Sequence, residues 1–161
     1  MSSVLIWNAH GLGGQDKCAF VAGECRRNRI PLSVILEPKR NPSRKGFFAR
    51  KMGFGHYLHG HPCNNTIWIF WKNSLQVDLM QVNEKCITVK LGCRDSSILF
   101  SFVYASCDGL IRRDLWDYLG SFDVKDFPWF VGGDINVITN ISKKRGGSLM
   151  FNNIMIDFNF F

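Results

Sequence analysis

The pattern of apolar and polar positions divides the chain into short strands and a few amphipathic helices. Residues 4–7 are a brief run of β-forming side chains, broken by Gly11, Gly13 and Gly14. Over 17–28, Cys18, Val21, Ala22 and Cys25 recur along one stripe, which predicts a helix with Asp16 as its N-cap. Pro31 closes that segment. Residues 32–36 read as a buried-type strand that stops at Glu37-Pro38. Strand, helix, strand in this order predicts an α/β layer whose two strands end in polar residues on the same side.

Residues 42–51 are basic and weakly helical. Strand patterns follow over 55–59, 66–71, 75–82, 85–91 and 98–104. The turns between them carry Lys72-Asn73-Ser74, Asn83-Glu84 and Arg94-Asp95-Ser96, and hairpins joined this way predict antiparallel sheet. A second clear helix is predicted over 110–122. Its buried face comprises Leu110, Leu115, Tyr118, Leu119 and Phe122, with Arg112, Arg113, Asp114 and Asp117 off that face. Residues 129–131 form a short apolar strand stopped by Gly132-Gly133. Ser148 is the expected N-cap of a last amphipathic segment running into Phe158-Asn159-Phe160-Phe161. That apolar ending predicts a fold whose template continues further, with this chain lacking the tail.

Composition narrows the class. The chain has 161 residues, 46% hydrophobic and 20% charged, a balance that excludes intrinsic disorder. No apolar run approaches the ~20 residues of a membrane span, so no membrane partner is expected. The expected organisation is one domain over 1–161. The six cysteines form no Cys-x-x-Cys pair, which argues against a zinc ribbon, and no signal-peptide pattern opens the sequence. The expectation is therefore an intracellular protein, nuclear or cytoplasmic, with reduced thiols.

Net charge is +7, and the excess sits in the first half. Between residues 26 and 51, Arg26, Arg27, Arg29, Lys39, Arg40, Arg44, Lys45, Arg50 and Lys51 face Glu37 as the one acid. A one-sided basic field points to a polyanion such as nucleic acid, against the alternative of a solvated surface.

Three strand ends carry polar residues: Asn8 after the first, Glu37 after the second, and Asp134 and Asn136 after Gly132-Gly133. Ligands of α/β sheets bind where strand ends and loops converge. Two carboxylates and two carboxamides at one rim suit a hard divalent cation, Mg²⁺ or Mn²⁺, and a phosphate. Two other patterns are set aside. His56, His59, His61 and Cys63 lack a zinc-ligand spacing. Gly11-Leu12-Gly13-Gly14 lacks the Lys-Ser/Thr of a phosphate-binding loop and the full dinucleotide pattern, so no small-molecule cofactor is expected.

The ordered set Trp7-Asn8, Glu37-x-Lys39, Val103-Tyr104-Ala105 and Gly133-Asp134-x-Asn136 resembles the endonuclease/exonuclease/phosphatase superfamily. The nearest likeness is to endonuclease domains of plant LINE-type (non-LTR) retrotransposons. It extends through Ile67-Trp68-Ile69-Phe70-Trp71-Lys72, Arg112-Arg113-Asp114-Leu115-Trp116 and Pro128-Trp129-Phe130-Val131-Gly132-Gly133-Asp134. The resemblance implies a four-layer α/β-sandwich of the deoxyribonuclease-like type, incomplete at its C-terminus. It implies metal-dependent hydrolysis of DNA phosphodiesters, with Glu37 as principal metal ligand and Asn8 supporting metal and phosphate. Asp134 would orient or deprotonate the attacking water, Asn136 would hold the scissile phosphate, and Tyr104 would donate to it. Lys39, Arg40, Arg44 and Lys45 would contact flanking phosphates.

The family's closing Ser-Asp-His is absent, and no Asp-His pair occurs in the chain. This departure implies an impaired enzyme. The alternatives are an inactive retroelement remnant that binds nucleic acid by charge alone, and a small-molecule phosphatase of the same superfamily.

Overall fold

A computed structural model describes residues 3–58, 63–92, 97–124 and 126–137. His59, His61, the Arg94-Asp95-Ser96 turn, Ser148 and the apolar ending lie outside the described residues. Strands β1 (Val4–Asn8), β2 (Leu32–Leu36), β3 (His56–Tyr57) and β4 (Ile67–Trp71) form one sheet in the order β1-β2-β4-β3. Strands β5 (Val77–Val82), β6 (Cys86–Leu91), β7 (Ile98–Tyr104) and β8 (Trp129–Asp134) form a second sheet in chain order. Helices α1 (Gln15–Arg27) and α2 (Lys45–Met52) belong with the first sheet, and α3 (Gly109–Gly120) with the second.

Side-chain alternation builds the layers. Leu32, Val34 and Leu36 of β2 and Ile67 and Ile69 of β4 meet Ile87, Val89, Leu91 and Phe102 of the second sheet in a buried inter-sheet core. The opposite face of the first sheet, with Ile35, Trp68 and Phe70, packs on Cys18, Val21, Ala22 and Cys25 of α1 and Phe48, Ala49 and Met52 of α2. The opposite face of the second sheet packs Cys86, Val103, Trp129 and Val131 against Leu115, Trp116 and Leu119 of α3. The result is the expected α/β/β/α sandwich. Among the described residues no helix is long and apolar enough to cross a membrane.

Several local expectations change. α1 starts at Gln15 with Gly14 at its N-cap, so Asp16 lies in the first turn, where its charge favours the helix dipole without capping a backbone N–H. β3 is two residues long. β4 and β5 do not form a hairpin; after Trp71 the chain crosses from one sheet to the other. On α3 the expected faces are partly exchanged: Leu110 is 72% exposed and Arg112 is 2% exposed. The N-cap is Asp108, which accepts from the N–H groups of Leu110 and Ile111 and sets the helix phase.

β8 does not stop at its glycines but runs through them to Asp134. Gly133 has φ of 149°, and a Cβ there would drive into the Val103 carbonyl oxygen across the β7–β8 ladder. Glycine is thus what lets β8 pair closely with β7 up to the Tyr104–Asp134 position.

Candidate functional site

β1 and β2 run parallel, as do β7 and β8, so the C-terminal ends of each pair point the same way. The two edge strands β1 and β8 bring the sheets together at one end. Ile6 shares the inter-sheet core with Phe100 and Phe102, and two residues further along the same faces stand Asn8 and Tyr104. Asn8 Nδ2 donates to Asp134 Oδ2 at 2.6 Å, joining residues 126 positions apart. The polar site is therefore the end of the apolar inter-sheet face, where the same alternation continues with polar side chains.

Glu37 follows β2 directly and enters the same region from the first sheet. Its backbone carbonyl accepts from Gly11 N–H at 2.7 Å, and the Pro38 carbonyl accepts from Leu12 N–H at 2.8 Å. Lys17 Nζ donates to the Ala9 and Gly11 carbonyls at 2.8 and 2.9 Å. These bonds tie the loops after β1 and β2 together and carry His10 to Glu37. His10 Nδ1 lies 2.8 Å and Lys39 Nζ 3.1 Å from Glu37 Oε2, and the Tyr104 hydroxyl donates to Glu37 Oε1. Burial pulls the Glu37 carboxyl upward, but the hydrogen bonds and charges of Lys39 and then His10 outweigh it. The net pKa lies below the ordinary glutamate value.

Backbone strain gathers at the same place. Five described non-glycine residues have positive φ, and four of them are His10 (43°), Glu37 (48°), Lys39 (47°) and Asn136 (47°). Such conformations cost on the order of 1–3 kcal/mol each and persist where the surroundings over-determine them. The loops that carry Glu37 and Asn136 are held in these costly shapes.

Asn136 lies past the end of β8, in left-handed backbone with φ of 47°, rather than on an extended segment. Its N–H donates to Asp134 Oδ1 at 3.1 Å, and its Nδ2 donates to the Ala105 carbonyl at 2.7 Å. This ties the loop after β8 to the end of β7.

The residue that sequence reasoning missed is Arg112. Its Nη1 donates to the Ser106 and Cys107 carbonyls at 2.8 Å and to the Asn136 carbonyl at 3.3 Å. The guanidinium is a brace between the loops after β7 and β8. A signal existed in its place within Arg112-Arg113-Asp114-Leu115-Trp116, but charge alone assigned it to the solvated face.

Of the four basic residues expected to contact phosphates, Lys39 and Arg40 line an open cavity of about 390 Å³ together with Glu37, Pro38, Asn41, Asn65, Thr66 and Tyr104. Arg44 is exposed at the start of α2, with its guanidinium 4.8 Å from the Phe47 ring centre. Lys45 is a correction. It is 2% exposed, its ammonium lies 5.7 Å from the Trp68 ring centre, and burial lowers its pKa to about 8. Its stem fills the α2–sheet interface, so it is not presented to a polyanion.

The oxygen donors fit a small hard cation. Glu37 Oε2 is buried, with His10 Nδ1 and Lys39 Nζ as its contacts among the described residues. Among the described residues Asn8 Oδ1 has one contact, from His10 N–H at 3.3 Å. Among the described residues no group of three or more His, Cys, Asp or Glu is gathered, and Mg²⁺ commonly takes one or two carboxylates with water and substrate oxygens.

Layering and site position define an α/β-sandwich with a polar rim at the strand ends, and solved structures share this fold. Danio rerio TDP2 complexed with single-strand DNA product is 12% identical with a TM-score of 0.63, covering 85% of this chain and 61% of that one. The endonuclease domain of TRAS1, a telomere-specific non-LTR retrotransposon, is 16% identical with a TM-score of 0.61, covering 86% and 60%. An endonuclease/exonuclease/phosphatase family protein from Bacteroides thetaiotaomicron is 12% identical with a TM-score of 0.60, covering 83% and 62%. The chain thus spans about three-fifths of the length of these proteins, and its fold is that of endonuclease/exonuclease/phosphatase proteins. No family model matches the sequence, and no curated protein does so.

Proposed function

We infer that this chain is a nuclease-type domain that hydrolyses DNA phosphodiesters with a divalent cation, Mg²⁺ or Mn²⁺. The observation that carries the reading is the convergence of Glu37, Asn8, Tyr104, Asp134 and Asn136 at one end of the sandwich, beside a basic rim. Glu37 and the Asn8 carboxamide oxygen would hold the cation. When bound, the cation supplies charge neutralisation at a phosphate oxygen. Asp134, already accepting from Asn8 and from the Asn136 N–H, is fixed in orientation and suited to take a proton from an attacking water. The second Nδ2 hydrogen of Asn136 supplies a donor for a phosphate oxygen, and the Tyr104 hydroxyl would join it by turning its one hydrogen away from Glu37 Oε1. Lys39 and Arg40 hold flanking phosphates at the cavity rim. The finer ancestry, a non-LTR retrotransposon endonuclease domain, is supported by the motifs running from Trp7-Asn8 to Gly133-Asp134-x-Asn136.

Plasmid nicking with Mg²⁺ and with EDTA tests the reading. Wild type is expected to nick only with the cation, and Asp134→Ala and Glu37→Gln are each expected to lose 10²-fold or more in rate, on the order of a missing acid–base or electrostatic group. Cation-independent nicking, or full activity in Asp134→Ala, overturns it.

A second reading is favoured by one observation: the Glu37 carboxylate is already engaged by His10, Lys39 and Tyr104. A site neutralised from within would bind nucleic acid without cleaving it. Salt-dependent binding of DNA with no turnover in Mg²⁺ or Mn²⁺ would select this reading.

A further inference from the structure

The cavity beside Glu37 does not end the basic surface. Asn41 lines the cavity and also caps the 3₁₀ turn Pro42–Arg44, its Oδ1 accepting from Ser43 N–H at 3.0 Å. The turn leads straight into α2 and sets Arg44 next to Phe47. Arg44 lies 4.8 Å from the Phe47 ring centre and 5.7 Å from that of Phe48. Phe48 is buried and anchors the pair, with its ring edge-on to Phe47 at 5.4 Å. Phe47 itself is 44% exposed.

Two features of this pair call for a ligand. A surface that bound only phosphates would need Arg44 and its basic neighbours but gain nothing from an exposed phenyl ring. Arg44 and Phe47 stand three positions apart at the start of α2, and their contact leaves the ring half-exposed within a basic stretch. Arginine stacked on an aromatic ring offers a flat, cationic, partly apolar platform, and such platforms accept the faces of nucleobases. In a duplex those faces are hidden in the stack, whereas in a single strand they are open. The exposed charges along the path, Lys39, Arg40, Arg44, Arg50 and Lys51, complement a phosphate backbone.

We propose that the Arg44–Phe47 pair seats an unpaired nucleobase of a DNA strand whose backbone runs along Lys39 and Arg40 to the Glu37 cavity. The proposal rests on the nucleic-acid reading of the site and adds to it a preference for single-stranded DNA over this stretch.

The experiment measures fluorescence anisotropy of the full 161-residue chain in EDTA, so that binding is read apart from cleavage. The probes are a labelled thymidine oligonucleotide, a strand of equal length with abasic residues, and a duplex of equal length. Phe47→Leu keeps the apolar bulk and removes the ring, and its thermal melt shows whether the fold is kept. Base–aromatic stacking predicts that Phe47→Leu weakens oligothymidine binding about 5- to 150-fold and leaves the abasic strand and duplex unchanged. Arg44→Lys, which retains charge but not the planar fork, is expected to act in the same direction on the thymidine strand alone. Equal weakening of all three probes, or no change in any, overturns the platform while leaving nucleic-acid binding intact. Failure of the wild-type chain to bind any of the probes overturns the nucleic-acid reading and the platform with it.

Discussion

Arg112 offers the sharpest test of how the site is held. It is 2% exposed and spends its charge on three carbonyls rather than on a carboxylate. Hydrogen bonds to a charged donor contribute about 1.5–3 kcal/mol each. The two 2.8 Å bonds lie within that range, and the 3.3 Å bond to Asn136 is weaker. Against this stands the cost of burying a guanidinium whose Nη2 has no partner, a cost that an apolar replacement removes. The balance for Arg112→Met is a net loss of about 2–4 kcal/mol. With a urea m-value of about 1–3 kcal/mol/M, the unfolding midpoint should fall by roughly 0.7–4 M. Leu110→Gln, one turn-start away and 72% exposed, is the control and should stay within about 0.5 kcal/mol. Equilibrium urea unfolding followed by tryptophan fluorescence measures both. If the two variants shift the midpoint equally, or Leu110→Gln shifts it more, the brace is not what stabilises these loops.

Gly133→Ala should cost more than about 2 kcal/mol, because φ of 149° is strained for alanine and its Cβ meets the Val103 carbonyl. A drop in melting temperature of roughly 5 °C or more by calorimetry is expected, and an unchanged melt refutes the close β7–β8 approach. Tyr104→Phe removes the hydroxyl that donates to the part-buried Glu37 carboxylate and should cost about 1–3 kcal/mol in the same measurement. Lys45 has a folded pKa near 8 against an ordinary value of 10.5, so the unfolded chain binds more protons between those values and wild-type stability gains from this group as pH rises through that window. Lys45→Met should therefore be more stable than wild type at pH 7 by about 1–3 kcal/mol, a gap that closes by about pH 10.5 in urea titrations run across pH.

Much of the sandwich is legible from apolar runs. β2 and β7 occupy the residues their patterns predict, and Cys18, Val21, Ala22 and Cys25 form the buried stripe of α1. What the pattern does not carry is which sheet a strand joins. The Lys72-Asn73-Ser74 turn reads as a hairpin, yet it is a crossover, because turn chemistry is local and sheet choice depends on partners far along the chain. The Arg112 and Lys45 reversals share a cause. Both were placed outside by charge, but a long stem can bury when its head finds carbonyls, as for Arg112, or a ring face, as for Lys45. At the site, residue types pointed to Asn8, Glu37 and Asp134. The contacts of Asn136 with Ala105 and of His10 with Glu37 depend on left-handed backbone at non-glycine residues, which sequence does not announce.

The continuation of the inter-sheet face into Asn8 and Tyr104, with Asp134 meeting Asn8 across the sheets, has a bearing on which length changes the chain can survive. Side chains alternate with a period of two, so deleting one residue within β1 would turn Asn8 toward the helices and Ile6 out of the core together. Substitutions at these positions remove one group at a time, whereas a single-residue deletion in β1, β7 or β8 would remove a site residue and a core residue at once. Length variants should therefore sort sharply by place: tolerated in the exposed Asn73–Ser74 connection, and lost as a unit within the three strands that end at the site.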